Sequence, residues 1–173
     1  MLRLLYQFIL ERKIIRKGVF PMHIVLIYPD LDENFKKFVL WCKKFGISEI
    51  TICTRSDKLE TLGDTRFDGI KLNFVHKSGK EEILNTIRKI AEKVLKGELK
   101  LDEIDEKTFE SFLTLKSQPD MIVKAGREVP EFMIWQSIYS ELFFTDLDLK
   151  FMRYVDFLRI IREYQKRERR YGR

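Results

Sequence analysis

Apolar residues occur along the chain in short runs of strand length, separated by longer stretches in which they recur at helical spacing. Runs this short are typical of strands buried in a parallel sheet. Five runs fit that description: His23–Tyr28, Ile50–Thr54, Ile70–Val75, Met121–Lys124 and Tyr139–Phe144.

The stretches between these runs predict helices. Residues 32–46 and 78–97 carry apolar side chains every three or four positions and end at a glycine. Residues 101–115 predict one or two short helices, and a final helix is predicted from about Val155 to Arg169. The polar stretch from Arg55 to Gly69 predicts a loop or a short helix. Strands alternating with helices predict an α/β fold, with a mainly parallel central sheet flanked by helices.

Residues 1–20 predict an N-terminal amphipathic helix in front of a single domain, residues 21–173. Leu2, Leu5 and Phe8 fall near helical spacing, with basic residues among them. The segment is too short and too charged to span a bilayer, which takes roughly 20 apolar residues. It also lacks the apolar core and cleavage site of a signal peptide. The helix is therefore expected to lie on the protein's own core or on a membrane surface.

Composition and charge narrow the class of protein. The 173 residues suit one domain, and 45% hydrophobic residues argue against disorder. Cys42 and Cys53 form neither a disulfide framework nor a zinc motif, which predicts a cytoplasmic protein. The charge is +4 over residues 1–20, +5 over residues 153–173 and −3 between them. Basic ends suit phosphate groups or a solvated helix face. No nucleic-acid partner is expected, because no recognised reading module is present.

The stretch Phe132–Thr145 holds five aromatic side chains around one amide, Gln136, and one carboxylate, Glu141. Apolar residues this dense predict that most of the segment is core. A buried carboxylate is costly unless it is paired, hydrogen-bonded or bound to a metal ion. Glu141 therefore needs a partner.

The order of residues in this stretch carries a resemblance. Residues 135–146 read Trp-Gln-x-x-Tyr-x-Glu-Leu-x-Phe-Thr-Asp, which resembles the signature of the cis-prenyltransferases, the undecaprenyl and dehydrodolichyl diphosphate synthases. Residues 119–123 resemble that family's Pro-Asp-Leu-Ile-Ile strand, and the match continues through residues 155–158 and 161–170. The resemblance implies a shortened form of the family's fold. It also implies condensation of isopentenyl diphosphate onto an allylic diphosphate, with magnesium.

Two departures concern the allylic diphosphate and the growing product. Residues 21–27 match the family's first strand, but Pro29 stands where the family has a magnesium-binding aspartate. Asp30 comes one residue late, which turns its side chain to the opposite face of a strand. Residues 31–38 lack the family's phosphate-binding loop, and residues 57–69 replace the two long helices that line the product tunnel.

A third departure concerns the isopentenyl diphosphate site. The segment Lys124–Phe132 is two residues shorter than the family's motif, and Lys124 replaces its first arginine. Lysine keeps the charge but loses the planar fork of the guanidinium. Lys124 and the nearby Arg127 are the candidates for diphosphate contacts. Asp30 and Glu141 are the only, weaker, candidates for a metal ligand, and no catalytic residue is assigned.

These departures resemble the non-catalytic subunits of heteromeric cis-prenyltransferases, such as the Nogo-B receptor. They predict an accessory subunit, inactive alone and without a cofactor of its own. It would pair as a heterodimer or heterotetramer with a catalytic subunit that holds magnesium. The alternative is an autonomous short cis-prenyltransferase, active as a homodimer, in which Asp30 replaces the missing carboxylate.

The resemblance also implies where partners bind. A subunit interface is expected around Trp135, Ile138, Tyr139, Glu141, Leu142 and Phe143. The C-terminal residues Arg170, Tyr171 and Gly172 are expected to reach the partner's active site and bind isopentenyl diphosphate in trans. Arginine offers charge-assisted hydrogen bonds to phosphate, and glycine lets the backbone approach closely. The protein is expected in the cytoplasm, and the helix of residues 1–20 is a candidate for peripheral membrane contact.

Overall fold

The structure is a computed structural model that describes residues 2–27, 33–54, 65–128, 131–146 and 149–167. The strands described are β1 (His23–Ile27), β2 (Glu49–Cys53), β3 (Thr65–Phe67), β4 (Ile70–Val75), β5 (Met121–Ala125) and β6 (Glu141–Thr145). The α-helices described are α1 (Leu2–Lys17), α2 (Glu33–Lys44), α3 (Gly79–Leu95), α4 (Glu106–Phe112) and α5 (Tyr154–Lys166). Single 3-10 turns lie at Leu101–Glu103 and Leu149–Phe151.

The strands form one sheet in the order β3-β4-β2-β1-β5-β6. Every neighbouring pair is parallel except β3 and β4, which confirms the predicted α/β fold with a mainly parallel sheet. The chain leaves β1 toward β2 and leaves β5 toward β6, in opposite directions across the sheet. Open α/β sheets bind ligands at such a reversal, beside the carboxyl ends of the two strands. Here that position lies between β1 and β5.

The sequence interpretation missed β3 within the stretch predicted as a loop or short helix. Phe67 pairs with Ile70 across a two-residue hairpin turn. The turn residues Asp68 and Gly69 both have positive φ, 53° and 87°. Asp-Gly is a favoured pair for that turn, so the sequence did carry the signal. Residues 55–64 of the same stretch lie outside the described residues.

Two predicted boundaries shift. The fifth predicted strand, which is β6, begins at Glu141 rather than Tyr139, because the preceding residues form turns. The Ser140 hydroxyl donates to the Pro119 carbonyl at 2.7 Å and holds the last of these turns against the start of β5. The final helix spans Tyr154–Lys166, one residue earlier than predicted at its start and shorter at its end.

One face of the sheet, here called the large-core face, is covered by α1, α2 and α5. At its centre Phe157 of α5 is 1% exposed, and its ring centroid lies 5.5, 5.8 and 5.7 Å from those of Phe38, Trp41 and Phe45. Aromatic pairs at such distances add stability beyond the area they bury. This cluster fixes α2 and α5 against each other above the sheet.

The N-terminal helix α1 packs on the large-core face. Two positions were predicted for this helix, the protein's own core and a membrane surface, and this packing is the first of them. Leu10 and Ile14 are each 1% exposed. The side-chain amide of Gln165 in α5 donates to the carbonyls of Ile14 and Val19 at 3.0 and 2.8 Å, and so holds the end of α1. None of the helices described is long and apolar enough to cross a membrane.

The opposite face, here called the small-core face, is covered by α3, α4 and residues 131–140. The prediction that most of Phe132–Thr145 is core is only half right. The buried members of this stretch are Phe132, Met133, Gln136 and Phe143, and the exposed ones include Ile134, Ile138, Tyr139 and Phe144. The segment turns at every few residues, so it buries one side and presents the other.

Gly79, the first residue of α3, lies against this segment too closely for any side chain. A Cβ atom there would meet Ile134 Cγ1 at 2.5 Å and the Glu131 carbonyl oxygen at 3.0 Å. We expect Gly79→Ala to lower the free energy of unfolding by about 1–3 kcal/mol, the usual cost of overpacking. Urea denaturation followed by circular dichroism measures this change.

A second variant tests the cause. Ile134→Ala removes the nearer contact, so the double variant Gly79→Ala/Ile134→Ala should regain part of the lost stability. Ile134 is 42% exposed, and its single substitution should have a small effect. A Gly79→Ala protein as stable as wild type would show that Ile134 and the Glu131 carbonyl move away from the added methyl group at no cost in stability.

Candidate functional site

The reversal point of the sheet brings two basic residues to the carboxyl end of β5. Lys124 is half-buried and lies directly beside Ile27, the last residue of β1. The chain then turns at Gly126, which has a φ of +83° and whose N–H donates to the Thr145 carbonyl at 3.0 Å. The turn leaves Arg127 exposed beyond the strand end. These two cations suit an anionic group, such as a diphosphate, above β5.

The residues that directly follow β1, 28–32, lie outside the described residues. They include Pro29 and Asp30, which the sequence interpretation weighed against each other. Within the described ranges no group of three or more His, Cys, Asp or Glu side chains could hold a metal ion. The described residues alone therefore do not fit a magnesium site, although they do supply cations for an anion.

Glu141 and Lys124 lie at opposite ends of their strands. Glu141 pairs with Met121, the first residue of β5. Three residues of strand separate Met121 from Lys124, which is about 10 Å. Within one chain, the structure therefore does not bring Glu141 to the crevice.

Arg167 is the hydrogen-bond and ion-pair partner of the Glu141 carboxylate. The guanidinium donates to Glu141 Oε2 at 2.6 Å and to the Leu142 carbonyl at 3.1 Å. It also lies 4.2 Å from the centroid of the Phe143 ring, within the range of a cation–π contact. Phe143 is only 7% exposed and belongs to the core on the large-core face, so little of its ring is available to a partner.

The remaining predicted interface residues line or flank an open groove of about 650 Å³ on the small-core face. The indole of Trp135 packs on Phe109 with ring centroids 4.4 Å apart, and its N–H donates to Glu110 at 3.3 Å. Ile138 is 72% exposed and Tyr139 is 47% exposed. Leu142 is half-buried and packs against the apolar core on the small-core face. The structure therefore brings Trp135, Ile138 and Tyr139 together along one groove, with Ile138 and Tyr139 exposed.

A buried network that the sequence interpretation missed positions this groove. Gln136 is 3% exposed, and its side-chain amide donates to Glu82 Oε2 at 3.2 Å and to the Leu115 carbonyl at 3.0 Å. Glu82 is 6% exposed and also accepts from the Thr114 N–H at 3.0 Å. The signal was present, since Gln136 is the one amide in an apolar stretch and Glu82 lies on the buried side of α3.

A second missed network lies at the amino end of the sheet, on the small-core face. His23, Thr51 and Asn73 occupy neighbouring strands, and the His23 Nε2 lies 2.8 Å from the Thr51 hydroxyl. Asn73 donates to that hydroxyl at 3.0 Å and to Glu49 at 2.6 Å. Burial lowers the pKa of His23, although the nearby charges of Glu49 and Asp120 partly oppose that shift. The signal was a set of polar residues on one face of three neighbouring strands, with Thr51 paired directly to Asn73.

The C-terminal residues Arg170, Tyr171 and Gly172, predicted to act in trans, lie outside the described residues. The last described residue, Arg167, is held against β6 by its contacts with Glu141 and Leu142. The tail therefore leaves the described fold beside the amino end of β6.

Comparison with known proteins places the chain in a family. The family described as "Putative undecaprenyl diphosphate synthase" matches residues 54–172, well over half of the chain. The chain belongs to the undecaprenyl diphosphate synthase family. Its membership confirms the resemblance to the cis-prenyltransferases that the motif at residues 135–146 indicated.

Several relatives of the chain are named as synthases. One, from Picrophilus torridus, is 40% identical over 148 residues, which is 82% of this chain and 58% of that protein. Another, from Pyrococcus furiosus, is 46% identical over 99 residues, 55% of this chain and 38% of that protein. Both are named tritrans,polycis-undecaprenyl-diphosphate synthase (geranylgeranyl-diphosphate specific). The chain thus spans less than two thirds of the length of either relative.

Solved structures share the fold. The crystal structure of lavandulyl diphosphate synthase from Lavandula x intermedia, in complex with dimethylallyl diphosphate, matches with a TM-score of 0.71 at 23% identity. That match covers 89% of this chain and 99% of the solved one. A probable undecaprenyl diphosphate synthase from Campylobacter jejuni matches with a TM-score of 0.67 at 19% identity, over 88% and 99% of the two chains.

Two predictions are wrong on these findings. The chain was expected to be a non-catalytic accessory subunit, but its relatives are named as synthases. The expectation that no cofactor acts in this chain, with magnesium only in a partner's active site, depended on that role and falls with it. A special closeness to the Nogo-B receptor branch has no support among these relatives.

The buried histidine gives a prediction about pH. A lowered pKa in the folded state means that the unfolded chain binds the proton more readily. The contribution of His23 to stability is therefore full above its ordinary pKa of about 6.5 and is lost as pH falls below it. We expect the melting temperature to fall between neutral pH and pH values near 5, where carboxylates with ordinary pKa values are still largely charged.

The His23→Gln variant should lose much of that pH dependence, whatever its stability at neutral pH. The other histidine of the chain, His76, gives the matched control, because His76→Gln keeps His23 in place. Calorimetry across this pH range distinguishes the variants. Equal pH dependence in wild type and His23→Gln would contradict the assignment.

Proposed function

We propose that the protein is a cis-prenyltransferase that acts itself, as a homodimer, and extends an allylic diphosphate with isopentenyl diphosphate. The observation that carries the proposal is the family match over residues 54–172 to relatives named as synthases. The names of those relatives specify geranylgeranyl diphosphate, which is therefore the allylic substrate we propose. The basic crevice beside the carboxyl ends of β1 and β5 supports the same class of substrate.

The proposed reaction joins two diphosphate esters. The terminal alkene carbon of isopentenyl diphosphate attacks the first carbon of the allylic diphosphate. The allylic diphosphate leaves with the electron pair of its carbon–oxygen bond, and a proton is lost from the isopentenyl unit to form the new cis double bond. Lys124 and Arg127 are proposed to hold the diphosphate of isopentenyl diphosphate and so to orient the attacking alkene.

Magnesium would supply electrostatic stabilisation of the departing diphosphate. The described residues do not themselves gather the carboxylates that such an ion needs. We therefore assign no step to a magnesium ligand within the described residues.

The second copy is proposed to bind at the groove around Trp135. Exposed Ile138 and Tyr139 adjoin a cleft lined by Phe109 and Trp135, so one surface carries both projections and a hollow. A two-fold dimer needs a self-complementary surface of this kind. The Arg167 guanidinium already donates a hydrogen bond to the Leu142 carbonyl on β6, the edge strand at one end of the sheet. We therefore propose side-chain packing rather than addition of a strand to that edge.

Two finer features remain part of the proposal. The tail residues Arg170, Tyr171 and Gly172 are proposed to contact isopentenyl diphosphate in the second copy. A peripheral contact of α1 with a membrane surface is also proposed, because large apolar side chains of α1 such as Leu4 and Phe8 are exposed.

Turnover of labelled substrate tests the reaction. We expect the purified protein with magnesium to transfer carbon-14 from isopentenyl diphosphate into butanol-soluble products when geranylgeranyl diphosphate is present. Lys124→Ala and Arg170→Ala should each lower the rate by about 10- to 100-fold, because a lost charged contact costs about 1.5–3 kcal/mol. Lys89→Ala, on the exposed side of α3, is the control and should keep the wild-type rate.

The outcomes separate the claims. A folded, dimeric protein that transfers no label would refute the proposed reaction. Wild-type turnover in Lys124→Ala would remove that residue from the site and leave the reaction intact. Wild-type turnover in Arg170→Ala, with unchanged apparent affinity for isopentenyl diphosphate, would exclude the tail.

The dimer has its own test. We expect Tyr139→Asp to give a folded monomer, because it places a charge at the centre of a desolvated apolar contact. Leu95→Asp is the control, since Leu95 is 87% exposed on α3 and does not line the groove. Light scattering coupled to size-exclusion chromatography gives the mass, and a Tyr139→Asp protein that stays dimeric would place the interface elsewhere.

A further inference from the structure

The exposed side of α1 is unusually apolar for a helix of a folded domain. Leu10 and Ile14 bury one side of it. The ring centroid of Tyr6 lies 5.7 Å from the Arg159 guanidinium of α5. The opposite side and the first turns present large apolar residues to solvent. They are Leu4, Leu5, Tyr6, Phe8, Ile9 and Ile15, with exposed fractions of 69, 56, 45, 53, 44 and 54%. A contiguous apolar patch of this size marks a binding surface.

Positive charge follows the apolar residues along the same helix. Arg12, Lys13, Arg16 and Lys17 occupy its last two turns. The single acid of α1, Glu11, forms an ion pair with Lys44 of α2, so it does not offset these charges. The Arg12 guanidinium lies 4.5 Å from the centroid of the exposed Phe8 ring, at the boundary between the apolar and the basic parts.

A basic groove lies beside α1, where the helix meets α5. It has a volume of about 230 Å³ and is lined by four cations with Ile14 and Gln165. The cations are Lys13, Lys17, Arg162 and Lys166. Lys166 pairs with Glu163 at 2.6 Å, and Lys17 donates to the Gln165 carbonyl. Lys13 and Arg162 have no ion-pair partner among the described residues, so the groove retains positive charge.

We infer that α1 and this groove form a docking surface for an anionic lipid bilayer. The apolar side chains of the first turns would enter the boundary between headgroups and acyl chains, and the groove would take lipid phosphates. Helices that lie in a bilayer interface combine these two features. The inference rests on the membrane contact proposed above for α1 and adds the lipid class and the phosphate-binding groove, but it does not depend on the proposed reaction.

Other occupants fit the surface less well. A second copy of the chain would bring two strongly positive helices together, which repel each other. The phosphates of a nucleic acid would match the cations, but they offer no gain for exposed Leu5 and Phe8, which stay in water. An apolar bilayer interior beneath a layer of anionic headgroups satisfies both parts.

Vesicle flotation tests the inference with the full chain. Vesicles of phosphatidylcholine and phosphatidylglycerol at three parts to one should carry the protein upward, and vesicles of phosphatidylcholine alone should carry much less. The double variant Leu5→Ser/Phe8→Ser should lower the partition coefficient about tenfold or more. Lys13→Gln/Arg162→Gln should lower it about fivefold for each charge removed.

Matched controls come from other surfaces of the same fold. Leu95→Ser removes an exposed apolar side chain from α3, and Lys36→Gln removes an exposed charge from α2. Both should bind vesicles as wild type does. Circular dichroism on every variant confirms that the fold is kept.

Three outcomes would overturn the inference. The first is no flotation with anionic vesicles, and the second is equal flotation of wild type and Leu5→Ser/Phe8→Ser. The third is binding to a duplex RNA probe that competes fully with vesicles and is unaffected by the apolar double variant. That last result would assign the basic residues to nucleic acid instead.

Discussion

The small-core face depends on one buried hydrogen-bond network. Glu82 is a carboxylate at 6% exposure, and burial of that kind is tolerated only with hydrogen-bond partners. The Thr114 N–H and the Gln136 side chain provide them, and the same Gln136 nitrogen also binds the Leu115 carbonyl. Helix α3, the segment before β5 and the segment after it are thereby tied at one point.

This tie determines which residues can serve as a surface. Because Gln136 points inward to Glu82, the neighbouring Trp135 packs sideways on Phe109 and the following turn carries Ile138 and Tyr139 outward. Loss of the amide would leave the buried carboxylate short of a partner, at a cost of about 1–3 kcal/mol. The exposed aromatic groove is therefore supported by polar contacts beneath it rather than by its own packing.

The fold could be predicted from sequence because periodicity is local. Five of the six described strands coincide with apolar runs, and parallel neighbours place Lys124 beside the end of β1 as the family motif implied. The partner of a particular side chain is not local. The apolar surroundings of Glu141 predicted that its carboxylate has a partner. The sequence pattern did not indicate that this partner is Arg167, 26 residues later.

The functional prediction failed for a related reason. It weighed the segments that follow β1, β2 and β5, where the chain departs from the family's motifs, and concluded that catalysis was lost. Connections vary in length within a family at small cost, whereas strand order and register define the crevice. The sheet has its reversal point between β1 and β5, and a relative that is 40% identical over 148 residues is named as a synthase. The absence of the family's loop motifs was therefore not sufficient evidence that the chain lacks catalytic activity.

The arrangement of the two proposed surfaces follows from the layers of the fold. Helix α1 lies on the large-core face, and the groove around Trp135 lies on the small-core face, with the sheet between them. A bilayer on one face therefore does not compete with a second copy on the other. Lys124 and Arg127 lie at the carboxyl end of β5, at the rim of the sheet. Neither proposed surface includes Lys124 or Arg127, so a bilayer and a second copy leave the proposed diphosphate site free.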